Sequence, residues 1–585
     1  MAKRKDKNES HSQDTNRNDV TSTDGINKSQ RDSSNKRGRS PRQNNSSGDR
    51  QNNSRNKRNQ SQNSNGNRNN YSDNHSRNSD STENPVTNDY SWYAPDELIG
   101  ASMANFPYNI PAGSNFNPSA QLVGDPVMEA PRISRIPGVM VIDYIPCYGS
   151  VSSEDSAAAI NVAARAMYAV VRKANSGSAV YESADLMTYF MAMDQIYVKM
   201  FEIRRILGLA GLNSFMNRNL PRTIIQALGV NYQDLITNFA VYVGQYNLLA
   251  LKINNQFAIP NTFDLFKRRA FLCSNVFTDA SSIRSQMYVF SSFSKGYVWT
   301  GTQAGGSGLT YTDALSNFPS EPQAGVFVAD MLSGLDEIVN SLVAQQDLAI
   351  MSGDIVKAFG AENCFTIAPY NNETLMPVFD DKILSQIENA EFVGVTASSS
   401  NIEQSGNQLT VTLSASGMTP ITGAKWKGTS ILNSHLDAPD WKFNLEATRL
   451  KPAPILIKWN QDDDTYSYQF DCGSELPVVA YIVSLQEDTE DVKFTTNNTG
   501  SILDLSDSLV ASNQADWLGG MTNFDWHPFI YLYASGNSSG SKVYAGFIGD
   551  VQVATLLDYQ SIRHTHDCAK LGLLNISFRD IKTKS

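Results

Sequence analysis

Between about residues 150 and 350, apolar residues recur at three- and four-residue spacing, the period of one helix face. AAAINVAARAMYAVVRK reads as a first helix. It opens on a capping box of Ser152 and Asp155 and closes on Arg172, Lys173 and, beyond them, Gly177. A second helix begins near Ser183. Leu186, Phe190, Met193, Tyr197, Met200, Ile203 and Leu207 lie on one side of it, and Asp194, Lys199, Glu202, Arg204 and Arg205 on the other, which reads as a polar face. PRTIIQALG, YQDLITNFAVYVGQYNLLALKI and FDLFKRRAFL continue the pattern. A single long helix is expected from about Val326 to Met351, with Leu332, Leu335, Val339 and Leu342 on one side.

The period changes after about Glu391. QLTVTLSAS, PILIKW, TYSYQF, LPVVAYIVSL, FIYLYAS, KVYAGFIG and LGLLNISF are short alternating runs between turn residues, and they read as strands. Helices first and strands later give an α+β fold class. The expected boundaries are a basic arm at 1–85, an extended connector at 86–150, a helix-rich part at 151–390 and a strand-rich part at 391–585.

Charge changes this picture at the N-terminal end. The whole chain of 585 residues carries a net −11, but residues 1–80 hold 17 Lys and Arg against 9 Asp and Glu, leaving −19 for residues 81–585. RNKRNQSQNSNGNRNN, Arg55 to Asn70, has no aliphatic or aromatic side chain at all. Such a segment cannot bury enough apolar surface to offset its chain entropy, so the arm reads as disordered, with an end-to-end reach of about 50 Å for 80 residues. Its cations Lys28, Arg31, Lys36, Arg37, Arg39, Arg42, Arg50, Arg55, Lys57, Arg58 and Arg68 are interleaved with Asn, Gln, Ser and Gly. That mixture suits phosphate contacts. With no aromatic before Tyr71, base stacking is not the mode, and binding is expected to be sequence-blind and salt-sensitive. A solubilising tail or a nuclear localisation signal around KRGRSPR is the plainer reading. NFPYNIPAGSNFNP, in the connector, reads as an extended segment laid along a surface or a neighbouring chain.

No apolar h-region follows MAKRKDKNES and no apolar run reaches 18 residues, so neither a signal peptide nor a membrane span is expected. Five scattered cysteines without a CxxC argue against a disulfide framework or zinc ribbon and favour assembly in a reducing, cytoplasmic place.

Motifs for catalysis are weak. GSGLT lacks the Gly-Lys-Ser/Thr ending of a phosphate loop and reads as a surface loop. Gly536-Asn-Ser538-Ser-Gly540 matches G-x-S-x-G, but strands on both sides make it a hairpin turn. His564-Thr-His566-Asp567-Cys568 matches no zinc spacing, and Asp462 to Asp464 reads as a turn. The tryptophans of KWKGTSILNSHLDAPDWKFN read as core. No metal or other cofactor is expected and no catalytic residue is assigned.

The block YESADLMTYFMAMDQIYVKMFEIRRILGLAGLNSFMNRNLPRTIIQALG, Tyr181 to Gly229, resembles the helical shell region of picobirnavirus capsid proteins. The layout, a basic N-terminus before a helical first half and a mixed second half, is similar too. The resemblance implies a structural coat protein with a helical shell domain and a strand-rich projecting region. It implies dimers assembling into an icosahedral shell of about 120 subunits around segmented double-stranded RNA, with the viral polymerase inside and host membrane as a partner at entry. It also implies exchange of segments between dimer partners, for which the Pro-rich connector is the candidate. Self-cleavage of the N-terminal peptide occurs in some members, but no nucleophile maps onto this sequence. A non-viral RNA-binding scaffold or chaperone with a dimeric body, and a self-cleaving hydrolase, remain as alternatives.

Overall fold

The computed structural model describes Asp96, Leu98 and Ala101 and then residues 138–575, except 150, 152–154, 178–180, 213–219, 281–284, 300–307, 313–314, 395–398, 419–430, 437, 461–464, 486–491, 497–499, 506–510 and 536–541. The connector motif NFPYNIPAGSNFNP falls outside the described residues.

The first strand, β1 (Val139–Pro146, VMVIDYIP), is apolar on both faces apart from Asp143, and all eight residues are buried. This is the pattern of a central strand covered on both sides. Two helices follow: α1 (Ala159–Ala174) and the 28-residue α2 (Ser183–Ala210), which at 1.5 Å per residue is about 42 Å long. After α3 (Leu220–Ala227) the chain turns at Gly229, φ +77°, where a Cβ would lie 2.5 Å from Pro319 and 2.6 Å from the Glu321 carbonyl. Only glycine fits that close approach. Asn231 then caps α4 (Tyr232–Gln256), its side chain accepting from the Asp234 N–H at 3.0 Å. Next come α5 (Asp264–Ser274), β2 (Phe277–Thr278), β3 (Met287–Ser291), β4 (Gly296–Trp299), β5 (Gly308–Thr312), α6 (Val328–Val343), α7 (Gln346–Phe359) and α8 (Asp381–Glu388).

The second half contributes β6 (Ser399–Ser405), β7 (Gln408–Met418), β8 (Ile431–Ser434), α9 (Trp441–Ala447), β9 (Ala453–Asn460), β10 (Thr465–Asp471), β11 (Glu475–Leu485), β12 (Val492–Thr496), β13 (Ile502–Asp504), α10 (Ala511–Met521), β14 (Ile530–Ser535), β15 (Lys542–Ile548), β16 (Val553–Leu556) and α11 (Tyr559–Leu573). The fold is α+β, helical in its first part and strand-rich later, as the periodicities indicated.

The sheets join the two halves. One sheet runs β12-β11-β1-β3-β2, with β1 antiparallel to β11 (Val139 opposite Val483) and parallel to β3 (Val139 opposite Met287). A second runs β4-β5-β6-β7-β10-β9 with antiparallel neighbours. Its β6–β7 hairpin closes through Gly406, whose φ of +61° is what such a tight turn needs. Among the described residues one large apolar cluster draws on both halves, and a small separate one gathers Phe529, Tyr531 and Tyr533. Position 391 is thus a change of periodicity, not a break in packing.

Several local expectations are corrected. The first helix starts at Ala159 rather than at the Ser152–Asp155 box, and its cap position, Ala158, offers no side-chain bond. The capping box sits instead at α2, where Glu182 N–H donates to Asp185 Oδ2 at 2.7 Å. The long helix at 326–351 is two helices: three and four residues after Leu342, where helical spacing calls for apolar residues, stand Gln345 and Gln346, both exposed, and the chain breaks there. The end of the connector is the central strand β1, and GSGLT runs into strand β5 instead of staying a loop. LGLLNISF is not a strand at its start, because Leu571 to Leu573 finish α11. Trp441 is 69% exposed on α9, not core.

Candidate functional site

The arm cations Lys28, Arg31, Lys36, Arg37, Arg39, Arg42, Arg50, Arg55, Lys57, Arg58 and Arg68 lie outside the described residues. So does the G-x-S-x-G stretch around Ser538, as do Asp462 to Asp464. The His564–Cys568 cluster is split by its helix. His566 is buried and its Nε2 meets the Lys451 carbonyl at 2.8 Å, while His564 and Cys568 stand exposed one turn apart, with Nε2 and Sγ 3.7 Å from each other. Among the described residues, no group of three or more His, Cys, Asp or Glu is placed to hold a metal. All five cysteines are free thiols; burial pushes Cys147 up to about 11 and Cys273 up to about 12, so both stay protonated. A groove of about 650 Å³ lies among α3, the start of α4 and β12. Among the described residues its lining includes Arg222, Asn231, Tyr232, Gln323 and Lys493, and no carboxylate, thiol or imidazole.

Charge is concentrated instead around α2. Sequence periodicity gave this helix a polar face, but 25 of its 28 residues are buried, and Asp194, Lys199, Glu202 and Arg205 are among them. The face is polar because it meets charges from other elements. Asp194 is gripped by Arg269 of α5 (Nε to Oδ2 3.1 Å) and receives the Tyr148 hydroxyl at 2.7 Å. Arg269 also pairs with Glu475, at the head of β11, and donates to the Ser474 carbonyl at 2.9 Å. Arg268 donates to Glu475 Oε2 at 2.6 Å. One turn along α2, Lys199 donates to Glu202 at 3.1 Å, to Ser292 Oγ at 2.7 Å and to the Phe293 carbonyl. Glu202 in turn accepts the Ser292 N–H at 3.0 Å. Lys295 pairs with Asp143 of β1.

Burial governs how these groups titrate. It pushes Asp143 and Asp194 above the usual carboxylate value, with Lys295 and Arg269 respectively pulling back. Glu475 goes the other way: burial acts against its charge, but Arg268 and Arg269 outweigh it and hold the carboxyl below its ordinary value. Two further buried pairs, Lys570 with Asp471 at 2.6 Å and Lys451 with Glu391 at 3.6 Å, tie α11 to β10 and the loop before β9 to the segment after α8. A pair of this kind adds little net stability, yet losing one partner leaves an uncompensated buried charge, so the pairs fix one arrangement of the elements. A rigid subunit with its charges locked inside is suited to a structural role.

Sequence reasoning missed this network because the charges on α2 follow the spacing of a solvated face. The available signal was composition: Asp194 to Arg205 packs five charges between Met193 and Ile206, in a helix whose remaining residues are almost all apolar.

The comparisons agree with a structural role. A family model described as Picobirnavirus, Capsid protein matches residues 92–420. A capsid protein precursor of Human picobirnavirus is 30% identical over 322 residues, covering 53% of this chain and 55% of that protein; the match spans about half the length of that curated relative. The fold matches the X-ray crystallographic structure of the picobirnavirus capsid with a TM-score of 0.70 and 28% identity, over 85% of this chain and all of the other.

Proposed function

The chain belongs to the picobirnavirus capsid protein family, a structural component of the virion, and from that premise we propose that it self-assembles as dimers into an icosahedral shell around segmented double-stranded RNA. In this reading residues 1–85 are a disordered arm whose cations contact RNA without reading its sequence. Residues 86–150 run from a connector, a candidate for exchange between subunits, into the core strand β1. The helices of 151–390, with the strands packed on them, form the shell, and the remainder of 391–585 projects. The observation that carries it is the charge split: +8 on residues 1–80 against −19 on the rest, attached to a capsid fold. An acidic wall repels polyanions and concentrates binding on tethered cationic arms. Double-stranded RNA, and the viral polymerase carried with it, are the partners on the inner side, and the host membrane is a partner at entry. Assembly takes place in the host cytoplasm. Catalysis is not part of the reading, since no nucleophile is assigned.

Magnitude supports a loose grip. With about 120 copies, arms of +8 would supply on the order of 1000 positive charges, against one phosphate charge per ~1.7 Å of duplex, or several thousand for a few kilobase pairs. The arms neutralise a minority of them, enough to bias packaging without condensing the genome.

Purified protein examined by negative-stain microscopy across a salt series is expected to form closed shells. A discrete dimer with no particle at any salt would favour the scaffold alternative and overturn the assembly reading. Deleting residues 1–70 is expected to leave shells intact and to lower the RNA that co-purifies. Unchanged RNA content would remove the arm from the mechanism.

A further inference from the structure

Helix α11 is held by one face. Its buried residues are Ile562, His566 and Lys570, with His566 on the Lys451 carbonyl at 2.8 Å and Lys570 on Asp471 at 2.6 Å. Asp558 caps its first turn, accepting the Ser561 N–H at 2.7 Å. These contacts fix the rotation of the helix, and with it the residues that look outward. His564 and Cys568 are both exposed and stand four positions apart, the spacing that sets one side chain over the other on a helix.

The approach of these two side chains has a telling length. His564 Nε2 lies 3.7 Å from Cys568 Sγ. With Zn–N about 2.05 Å and Zn–S about 2.3 Å, a tetrahedral ion sets two such donors about 3.6 Å apart. The pair therefore already has the bite of a chelate. Its chemistry agrees, since imidazole nitrogen and thiolate sulfur suit a borderline-soft cation, whereas calcium and magnesium take oxygen. The same four-residue spacing carries the two histidines of helical zinc sites.

The surroundings leave the pair accessible. The exposed residues one turn away, Gln560, Ser561 and Gly572, are uncharged. Asp567 is drawn aside to Lys570 at 3.4 Å. Among the described residues no third His, Cys, Asp or Glu joins the two donors. The remaining coordination positions would stay with water, so an ion held here exchanges, unlike one enclosed by four protein ligands.

We propose that His564 and Cys568 form a two-donor site for a thiophilic divalent cation of the zinc class on the solvent face of α11. Binding forms one bond to Nε2 and one to Sγ and releases the thiol proton to water; nothing is oxidised or reduced. The bound ion staples one helical turn and covers the sulfur nucleophile. The site is independent of the assembly reading, and its failure would leave that reading untouched.

The test uses reduced full-length protein and Zn²⁺ alone as the probe. The rate at which N-ethylmaleimide alkylates Cys568 is followed by peptide mass spectrometry, with and without the ion. Saturating Zn²⁺ is expected to slow alkylation at least about tenfold in the wild type and less than about twofold in His564→Ala. Both residues are exposed, so the circular dichroism of the variant is expected to be unchanged. Equal protection in His564→Ala would mean an adventitious ion on the thiol only and would overturn the chelate, as would no protection in the wild type. A second measurement needs no His564 variant. Wild-type protein loaded with Co²⁺ is expected to show a thiolate-to-metal charge-transfer band that Cys568→Ser removes and Cys364→Ser, at the half-buried thiol, retains. Absence of the band, or its persistence in Cys568→Ser, would also overturn the site.

Discussion

Helices α2 and α4 are nearly the same length, 28 and 25 residues, and both read as amphipathic in the sequence. Their surroundings invert the usual rule. The helix that carries five charges in its middle is buried on every side, and the helix with two charges turns an apolar face outward. Apolarity did not decide which helix went inside. Each charge of α2 except Arg205 finds a hydrogen-bonding or ionic partner on another element or a turn away, so it can be buried. Among the described residues, nothing covers the exposed apolar positions of α4. Inward charges with partners mark the contacts that hold one subunit together.

That contrast can be broken most severely at Arg269. Arg269→Met leaves Asp194 and Glu475 buried beside each other without their shared cation. It is expected to cost the isolated subunit about 3–5 kcal/mol, read as a fall in the urea midpoint. A loss under about 1 kcal/mol would mean that the network is solvated in solution and the inversion is false.

Acid gives the next largest effect, and its sign follows from the directions of the shifts. Glu475 titrates below its unfolded value, so its stabilisation is complete above about pH 4.3 and is lost as pH falls through the folded value. Asp143 and Asp194 titrate above theirs, so the native state holds more protons and these two groups add stability as pH falls from neutrality through their folded values. The unfolding midpoint of the dissociated subunit is expected to hold or rise from pH 7 towards 5 and then to drop below about pH 4. Glu475→Gln is expected to flatten the acid drop, and a thermal-melt series over this range checks both.

The smallest effect is expected on α4. Leu248→Gln removes an exposed apolar side chain and is expected to change subunit stability by no more than about 0.5 kcal/mol, read as the urea midpoint. A large loss of subunit stability would show that its own chain covers this face.

Much of this molecule was legible before its structure. Helices α2, α3, α4 and α5 and strands β7, β9, β10, β11, β14 and β15 stand close to where their periodicities put them. Strand β1 was missed because an eight-residue apolar run has no period to reveal it, and it followed a Pro-rich stretch that reads as extended chain. The break between α6 and α7 was missed because Ala344 and the two glutamines are all good helix formers; only the lack of an apolar residue at 345 or 346 betrays it. The arm was legible as charge, and its cations are legible as nothing more than that.

The sequence by itself determined the division into a cationic arm and an acidic body, the α+β order of the elements and the residues that share each helix face. Only the tertiary structure decided what lies against those faces. Periodicity records which side chains point the same way, a local property of about two turns. Whether that side is covered depends on residues such as Arg269, which lies 75 positions from Asp194 in the chain and pairs with it, and Glu475, 281 positions from Asp194, which holds the other side of the same Arg269 guanidinium.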